Sequence, residues 1–196
     1  MKDTRLPIVF VHGFWDKSSV FKFMSTYLKD KGWKVYEQFQ IIPNNGMISI
    51  EEMAEQLAGY INVQLGPEAS FLLIGFSMGG LVSRYYVQSL GGIDRVKHLI
   101  TISSPHHGTW MAYLFNRKAC IQMRPNSTFL KTLNKEVTIL QKISMTSIWA
   151  NYDTTILPNN SSRLSIGNEV ILKFGIHALM PYSSKVIKAV EQSLIK

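Results

Sequence analysis

Ser77 stands in Gly75-Phe76-Ser77-Met78-Gly79, a spacing that suits nucleophilic chemistry. A serine hydroxyl attacks an acyl carbon only when a base can take its proton and the chain presents it clear of its neighbours. An abrupt strand-to-helix turn presents it in that way, provided small residues flank the serine so that strand and helix can close on each other. Gly75, Gly79 and Gly80 supply that relief. The helix that follows aims its free N-terminal amides at the place where an oxyanion would form. The base and the acid must come from elsewhere in the chain. Histidines follow Ser77 at positions 98, 106, 107 and 177, and between Ser77 and His177 the acids are Asp94, Glu136, Asp153 and Glu169.

Those residues need a scaffold. Ile8-Val9-Phe10-Val11 is a β-branched and aromatic run closed by His12-Gly13, as expected of a strand buried on both faces. Val20, Met24 and Leu28 share a helical face that ends at Gly32. Trp33 to Phe39 reads as a second strand and Asn44-Asn45-Gly46 as a turn. Ser49 with Glu52 forms a capping box, opening a helix that turns Met53, Leu57 and Ile61 inward and stops near Gly66-Pro67. Phe71 to Ile74 is the strand before the nucleophile, and Gly79 to Leu90 the helix after it. His98–Ile102, Ile143–Trp149 and Glu169–Lys173 read as further strands. A last helix faces inward with Val186, Val190 and Leu194, with Pro181 near its start. From Ser103 to Lys142 the periodicity lapses. Strand alternating with helix predicts an α/β fold with a parallel sheet covered on both sides, in one domain over residues 1–196.

The 196 residues suffice for one buried core, and 46% hydrophobic with 17% charged residues places the chain among globular proteins. A formal net charge of +8 favours contact with anionic surfaces. The lysines and arginines are scattered, however, with no run that resembles a nucleic-acid arm. Cys120 is alone, which excludes an intrachain disulfide and a zinc site of several cysteines, and no metal or other cofactor is expected. Met1 to Pro7 lacks the apolar stretch of a signal peptide, and no apolar run approaches the ~18 residues of a membrane span. The expectation is a cytoplasmic monomer, or a secreted one if a leader has been removed, touching an anionic membrane surface only transiently.

Val9-Phe10-Val11-His12-Gly13-Phe14 and Gly75-Phe76-Ser77-Met78-Gly79-Gly80 resemble the two signature segments of α/β-hydrolase lipases. They look closest to compact bacterial triacylglycerol lipases and to GPI inositol-deacylase-like lipases. Thr101-Ile102-Ser103-Ser104-Pro105-His106-His107-Gly108-Thr109 is similar to a further segment those lipases carry, so the resemblance covers residues 7 to 110. It implies a minimal α/β-hydrolase fold that begins at what would be the third strand of a full-length member. The sheet should then be mostly parallel, with about six strands.

In that fold the chain order is nucleophile, acid, histidine. His98 belongs to a strand, and His106 and His107 precede any fitting acid. His177, in the loop Phe174-Gly175-Ile176-His177-Ala178-Leu179, is therefore the expected base. Asp94 falls at the wrong end of the sheet, Glu136 in the irregular segment and Glu169 at the start of a strand. Asp153 follows Ile148-Trp149-Ala150 at a strand's carboxyl end, where ligand-facing residues gather. Asn151 to Pro158 also resembles the acid loop of lipases. Asp153 would orient His177, which would take the proton of Ser77 and pass it to the leaving alcohol. The backbone N–H groups of Phe14 and Met78 would form the oxyanion hole, with His12 as a hydrogen-bonding brace.

The apolar cluster from Trp110 to Phe115 and the helically spaced Phe129, Leu130 and Leu133 make residues 106–142 the expected cap or specificity insertion. Trp15 and Trp110 are the expected pocket residues. Met123-Arg124-Pro125-Asn126-Ser127-Thr128-Phe129-Leu130 resembles a stretch of the GPI inositol-deacylase-like lipases, with Asn126 or Ser127 placed to cap the next helix. These features point to a lipase or esterase acting through an acyl-serine on acyl-chain or lipid esters. The same triad serves thioesterases, amidases and acyltransferases, and a catalytically silent binding protein on this fold is the alternative of another class.

Overall fold

A computed structural model describes residues 5–173 and 175–195. Met1 to Thr4, Phe174 at the head of the His177 loop, and Lys196 lie outside the described residues. Strands β1 (Ile8–Val11), β2 (Val35–Tyr36), β3 (Phe71–Phe76), β4 (Val96–Ile102), β5 (Ser144–Ala150) and β6 (Asn168–Leu172) form one sheet in the order β2-β1-β3-β4-β5-β6. Every neighbouring pair is parallel. β1 and β3 are buried along their whole length, which is why they carry unbroken apolar runs rather than alternation.

The two faces of the sheet collect different helices. Val9, Val11 and Leu73 pack under α2 (Ile50–Leu65) and α3 (Met78–Ser89). Ile8, Phe10, Leu72 and Ile74 pack under α1 (Lys22–Asp30) and α6 (Ser184–Ile195). The predicted Ser49–Glu52 capping box is formed in both directions at the start of α2.

The second strand is shorter than its sequence suggests. Only Val35 and Tyr36 pair with β1, because the chain then leaves the sheet edge and brings Gln40 and Ile41 to the His12 ring. Between β4 and β5 the chain forms two short 3-10 turns (Trp110–Leu114 and Val137–Lys142), α4 (Lys118–Gln122) and α5 (Thr128–Lys135). Pieces of one or two turns are too brief to show a 3.6-residue period, so this stretch read as irregular. Ser127 caps α5 by accepting the Leu130 N–H (3.2 Å). The fully buried Arg84 of α3 fastens this segment to the main body. Its guanidinium donates to Asn134 Oδ1 (3.0 Å), to the Leu133 carbonyl (3.2 Å) and to Gln88 Oε1 (3.1 Å). Burial pulls its pKa down to about 9, so it is still charged at neutral pH. No helix among the described residues is long and apolar enough to cross a membrane.

Candidate active site

β3 ends at Phe76 and α3 begins at Met78, leaving Ser77 alone to make the turn. Its backbone sits at φ 52° and ψ −125°, in the region that L-residues adopt only under constraint. The constraint is visible on both sides. The Ser77 N–H donates to the Ile102 carbonyl of β4 (2.8 Å), and the Gly80 N–H returns to the Ser77 carbonyl (3.0 Å). A side chain at Gly79 would run into the carbonyls of Val11 and His12, and one at Gly80 into Ser104. The tightness of this corner is what demands glycine there.

From this corner the Ser77 hydroxyl lies 2.9 Å from His177 Nε2. His177 Nδ1 lies 3.1 and 3.0 Å from the two carboxylate oxygens of Asp153. A carboxylate only accepts, so Nδ1 carries the proton and Nε2 is left to accept from Ser77. All three side chains are buried, and the imidazole lies against the Phe76 ring at 5.0 Å. Asp153 is held from its own loop: Oδ1 accepts the Thr155 N–H (2.8 Å) and the Ile156 N–H (3.0 Å). Burial alone would push this carboxyl up, but His177 and those two amides together hold it below the usual carboxylate value.

The turn after β1 closes the other side. A Cβ built on Gly13 would lie 3.1 Å from Ser77 Cβ, so only glycine lets this backbone come so near the hydroxyl. His12 braces the turn: its Nδ1 reaches the Gly13 carbonyl (3.0 Å) and its Nε2 accepts the Ile41 N–H (3.0 Å). Burial lowers its pKa more than the Gly13 hydrogen bond raises it, and the ring stays a neutral brace. Phe14 and Met78, the two expected amide donors, immediately follow Gly13 and Ser77 in the chain.

Against Ser77 opens an apolar cavity of about 160 Å³, lined by Phe14, Trp15, Pro105, Met111, Ala112, Leu114, Phe115, Cys120, Met123 and Ile156 with Thr109 and Thr155. No cluster of metal-binding side chains occurs among the described residues.

A profile of the family described as palmitoyl protein thioesterase matches residues 7–152, the stretch that holds Ser77 and most of the sheet. The chain belongs to the palmitoyl protein thioesterase family. Solved structures agree on the architecture. The mature form of lipase BlEst2 from Bacillus licheniformis superposes with a TM-score of 0.79 at 16% identity, over 100% of this chain and 94% of that one. The lin2722 gene product of Listeria innocua gives 0.74 at 16% identity, over 98% and 94%. Lipase B from Aspergillus fumigatus gives 0.72 at 21% identity, over 86% of this chain and 45% of that one. At these identities the likeness concerns the fold, which is that of the α/β hydrolases.

Within this family member the expected positions divide. Ser77, His177 and Asp153 come together, and Trp15 borders the cavity. Trp110 does not: its ring is 64% exposed and borders a separate cleft with His107, Pro158 and Arg163. The 3-10 turn that begins at Trp110 sends Met111, Ala112 and Leu114 toward the cavity and leaves the tryptophan outside. Of the other histidines, His98 is spent on Thr146 Oγ1 (2.9 Å), and the buried His106 lies between Thr101 Oγ1 (3.0 Å) and Arg84 (3.4 Å).

Two residues escaped the sequence reading. Asp16, just past the turn, takes a backbone hydrogen bond from Gly13 and faces His177 electrostatically. Burial raises its carboxyl above the usual value despite both of those partners. Thr109 ties the segment after β4 to the Asp153 loop. Its hydroxyl donates to the Thr155 carbonyl (2.7 Å) and accepts the Leu157 N–H (3.1 Å). Nothing in the local sequence marks Asp16. Thr109 is marked only as the last residue of the segment Thr101–Thr109 that is similar to one in lipases.

Proposed function

We propose that this protein is a serine hydrolase of acyl-chain esters, of the carboxylesterase or lipase type. Ser77 is its nucleophile, His177 its base and Asp153 its orienting acid. The observation that carries the reading is the unbroken hydrogen-bonded series from Ser77 Oγ through His177 to Asp153, set at the wall of an apolar cavity. Ser77 Oγ attacks the carbonyl carbon while His177 Nε2 takes its proton. The charge that develops on the carbonyl oxygen lies between the Phe14 and Met78 amides, where loss of one donor costs roughly 3 kcal/mol of barrier. The imidazolium, matched by the Asp153 carboxylate, returns the proton as the bond to the leaving alcohol breaks. Water then repeats the sequence on the acyl-serine and releases the acid.

The basic surface, and the exposed Trp15 with the Arg117 guanidinium over its ring at 5.4 Å, support substrate presented at an anionic lipid surface. Family membership favours one further reading, that the scissile bond is a thioester. The leaving thiol is then a better leaving group and relies less on His177 for its proton.

The test is hydrolysis of p-nitrophenyl esters and of acyl thioesters matched in chain length, by the native protein and by Ser77→Ala. Ser77→Ala is expected to lose at least about a thousandfold in rate. Equal rates in the two proteins would overturn the mechanism, and the ratio of ester to thioester turnover decides between the two bonds.

A further inference from the structure

The cavity beside Ser77 has a size, a floor and fixed walls, and together they limit what it can hold. Its lining is apolar side chain almost throughout. Ala112, Cys120, Met123 and Ile156 are each no more than 6% exposed and give it its buried wall. Trp15 and Leu114 are 52% and 66% exposed and form its mouth. At about 160 Å³ it matches an engineered apolar cavity of roughly 150 Å³ that takes up a benzene, a molecule of six carbons.

The backbone behind Cys120 and Met123 is tethered to its surroundings. Met123 is held where its carbonyl accepts the Thr109 N–H (2.9 Å). The Ala119 N–H donates to the Gly46 carbonyl (3.1 Å), Arg117 Nη1 to the Asn45 carbonyl (2.7 Å), and the Ile50 N–H to Gln122 Oε1 (2.7 Å). Thr109 binds the other wall to the Asp153 loop. α4 is therefore fastened to the start of α2 and to the loop before it. Enlarging the cavity would break several of these bonds at once.

Resting on the acyl-hydrolase reading above, we infer that the cavity is an acyl site for chains of about six to eight carbons. Ala112, Cys120 and Met123 set the ceiling, and a sixteen-carbon chain overruns it. The substrate class is short- to medium-chain acyl esters or thioesters, although the family is described by a palmitoyl bond. Up to the ceiling each methylene leaves water for apolar surroundings and raises kcat/KM by up to about fourfold. Past it, further methylenes meet Met123, and the chain no longer fits with its carbonyl at Ser77.

The experiment is the series of p-nitrophenyl esters from acetate to palmitate, in detergent that keeps the long members dispersed. The expected profile climbs to hexanoate or octanoate and then falls, with palmitate at least tenfold below the maximum. A continuing rise to palmitate overturns the inference. Met123→Ala is expected to move the maximum about two carbons longer and Ala112→Val to shorten it. A maximum unmoved by both, in variants whose melting shows them folded, overturns the assignment of the floor.

Calorimetric titration of the native protein with hexanoate, octanoate and dodecanoate separates this inference from the hydrolase reading. If no ester is cleaved, the hydrolase reading fails. Affinity that rises to octanoate and stops still supports the cavity's ceiling, whereas affinity still rising at dodecanoate removes it.

Discussion

Ser77 occupies a backbone conformation that costs on the order of 1–3 kcal/mol, and it persists because its neighbours leave no other. The same tightness makes the site dependent on small details of the residues beside it. Asp153→Asn illustrates this: an amide can donate as well as accept, so it can hold His177 in the tautomer whose Nε2 carries the proton. That ring cannot accept from Ser77, and kcat is expected to fall by roughly 10³ to 10⁴ with little change in melting temperature. Steady-state kinetics with a chromogenic ester checks it, and a loss under tenfold would remove Asp153 from its role. On the proposed mechanism Asp16 would act as a positioning residue, through its contact with the Gly13 turn that precedes Phe14. Asp16→Ala is expected to lower kcat about tenfold at unchanged KM, while Asp16→Asn keeps most of the rate because its side-chain oxygen still accepts from Gly13. Equal losses in the two variants would show that the charge matters rather than the hydrogen bond. That Ser77, His177 and Asp153 would meet was legible because a glycine-flanked serine and a fixed chain order constrain them. Asp16 was not, since an aspartate in a polar loop has the sequence signature of any turn aspartate.

At the scale of elements, the strands were legible wherever burial on both faces writes a continuous apolar run, as in β1 and β3. The edge strand β2 was overread because Trp33 to Phe39 has strand-forming residues but only two positions with a partner. The stretch from Ser103 to Lys142 was opaque for a different reason: its order comes from distant tethers such as Arg84 and Thr109, which leave no periodic trace. Those tethers make a specific prediction. Thr109→Val removes a hydroxyl that satisfies both the Thr155 carbonyl and the Leu157 N–H, leaving two groups of the acid loop without their partner. A loss of about 1–3 kcal/mol in stability is expected. As the Asp153 loop loosens, kcat is expected to fall by about tenfold while KM holds, and Thr109→Ser should restore both. If Thr109→Val lowers stability with kcat intact, the tether is structural and does not reach Asp153.

Across the whole molecule, the buried histidines bear on how the fold responds to acid. Burial holds the His98 pKa down at about 4 against an ordinary 6.5, and it holds His106 well below that ordinary value, with Arg84 and His107 adding to the effect. His12 is lowered as well. In the unfolded chain these rings take up protons from about pH 6.5 downward, while the folded His98 stays neutral to about 4. Between those values the unfolded state binds more protons, so stability is full above pH 6.5 and is lost as the pH falls toward 4. His98 alone accounts for a loss on the order of 2–3 kcal/mol over that window. Asp153, whose carboxyl is depressed, adds its own loss only below its ordinary value of 3.8, which keeps the two contributions apart. Urea unfolding at pH 7, 5.5 and 4.5 measures this, with an unchanged m-value showing that the transition stays the same. The native protein should weaken steadily over the series. His98→Gln, which can still donate to Thr146, should weaken less between pH 5.5 and 4.5. A native curve flat over that range, or an identical slope in His98→Gln, would mean that the buried rings do not carry the acid sensitivity and that repulsion among the +8 surface charges does.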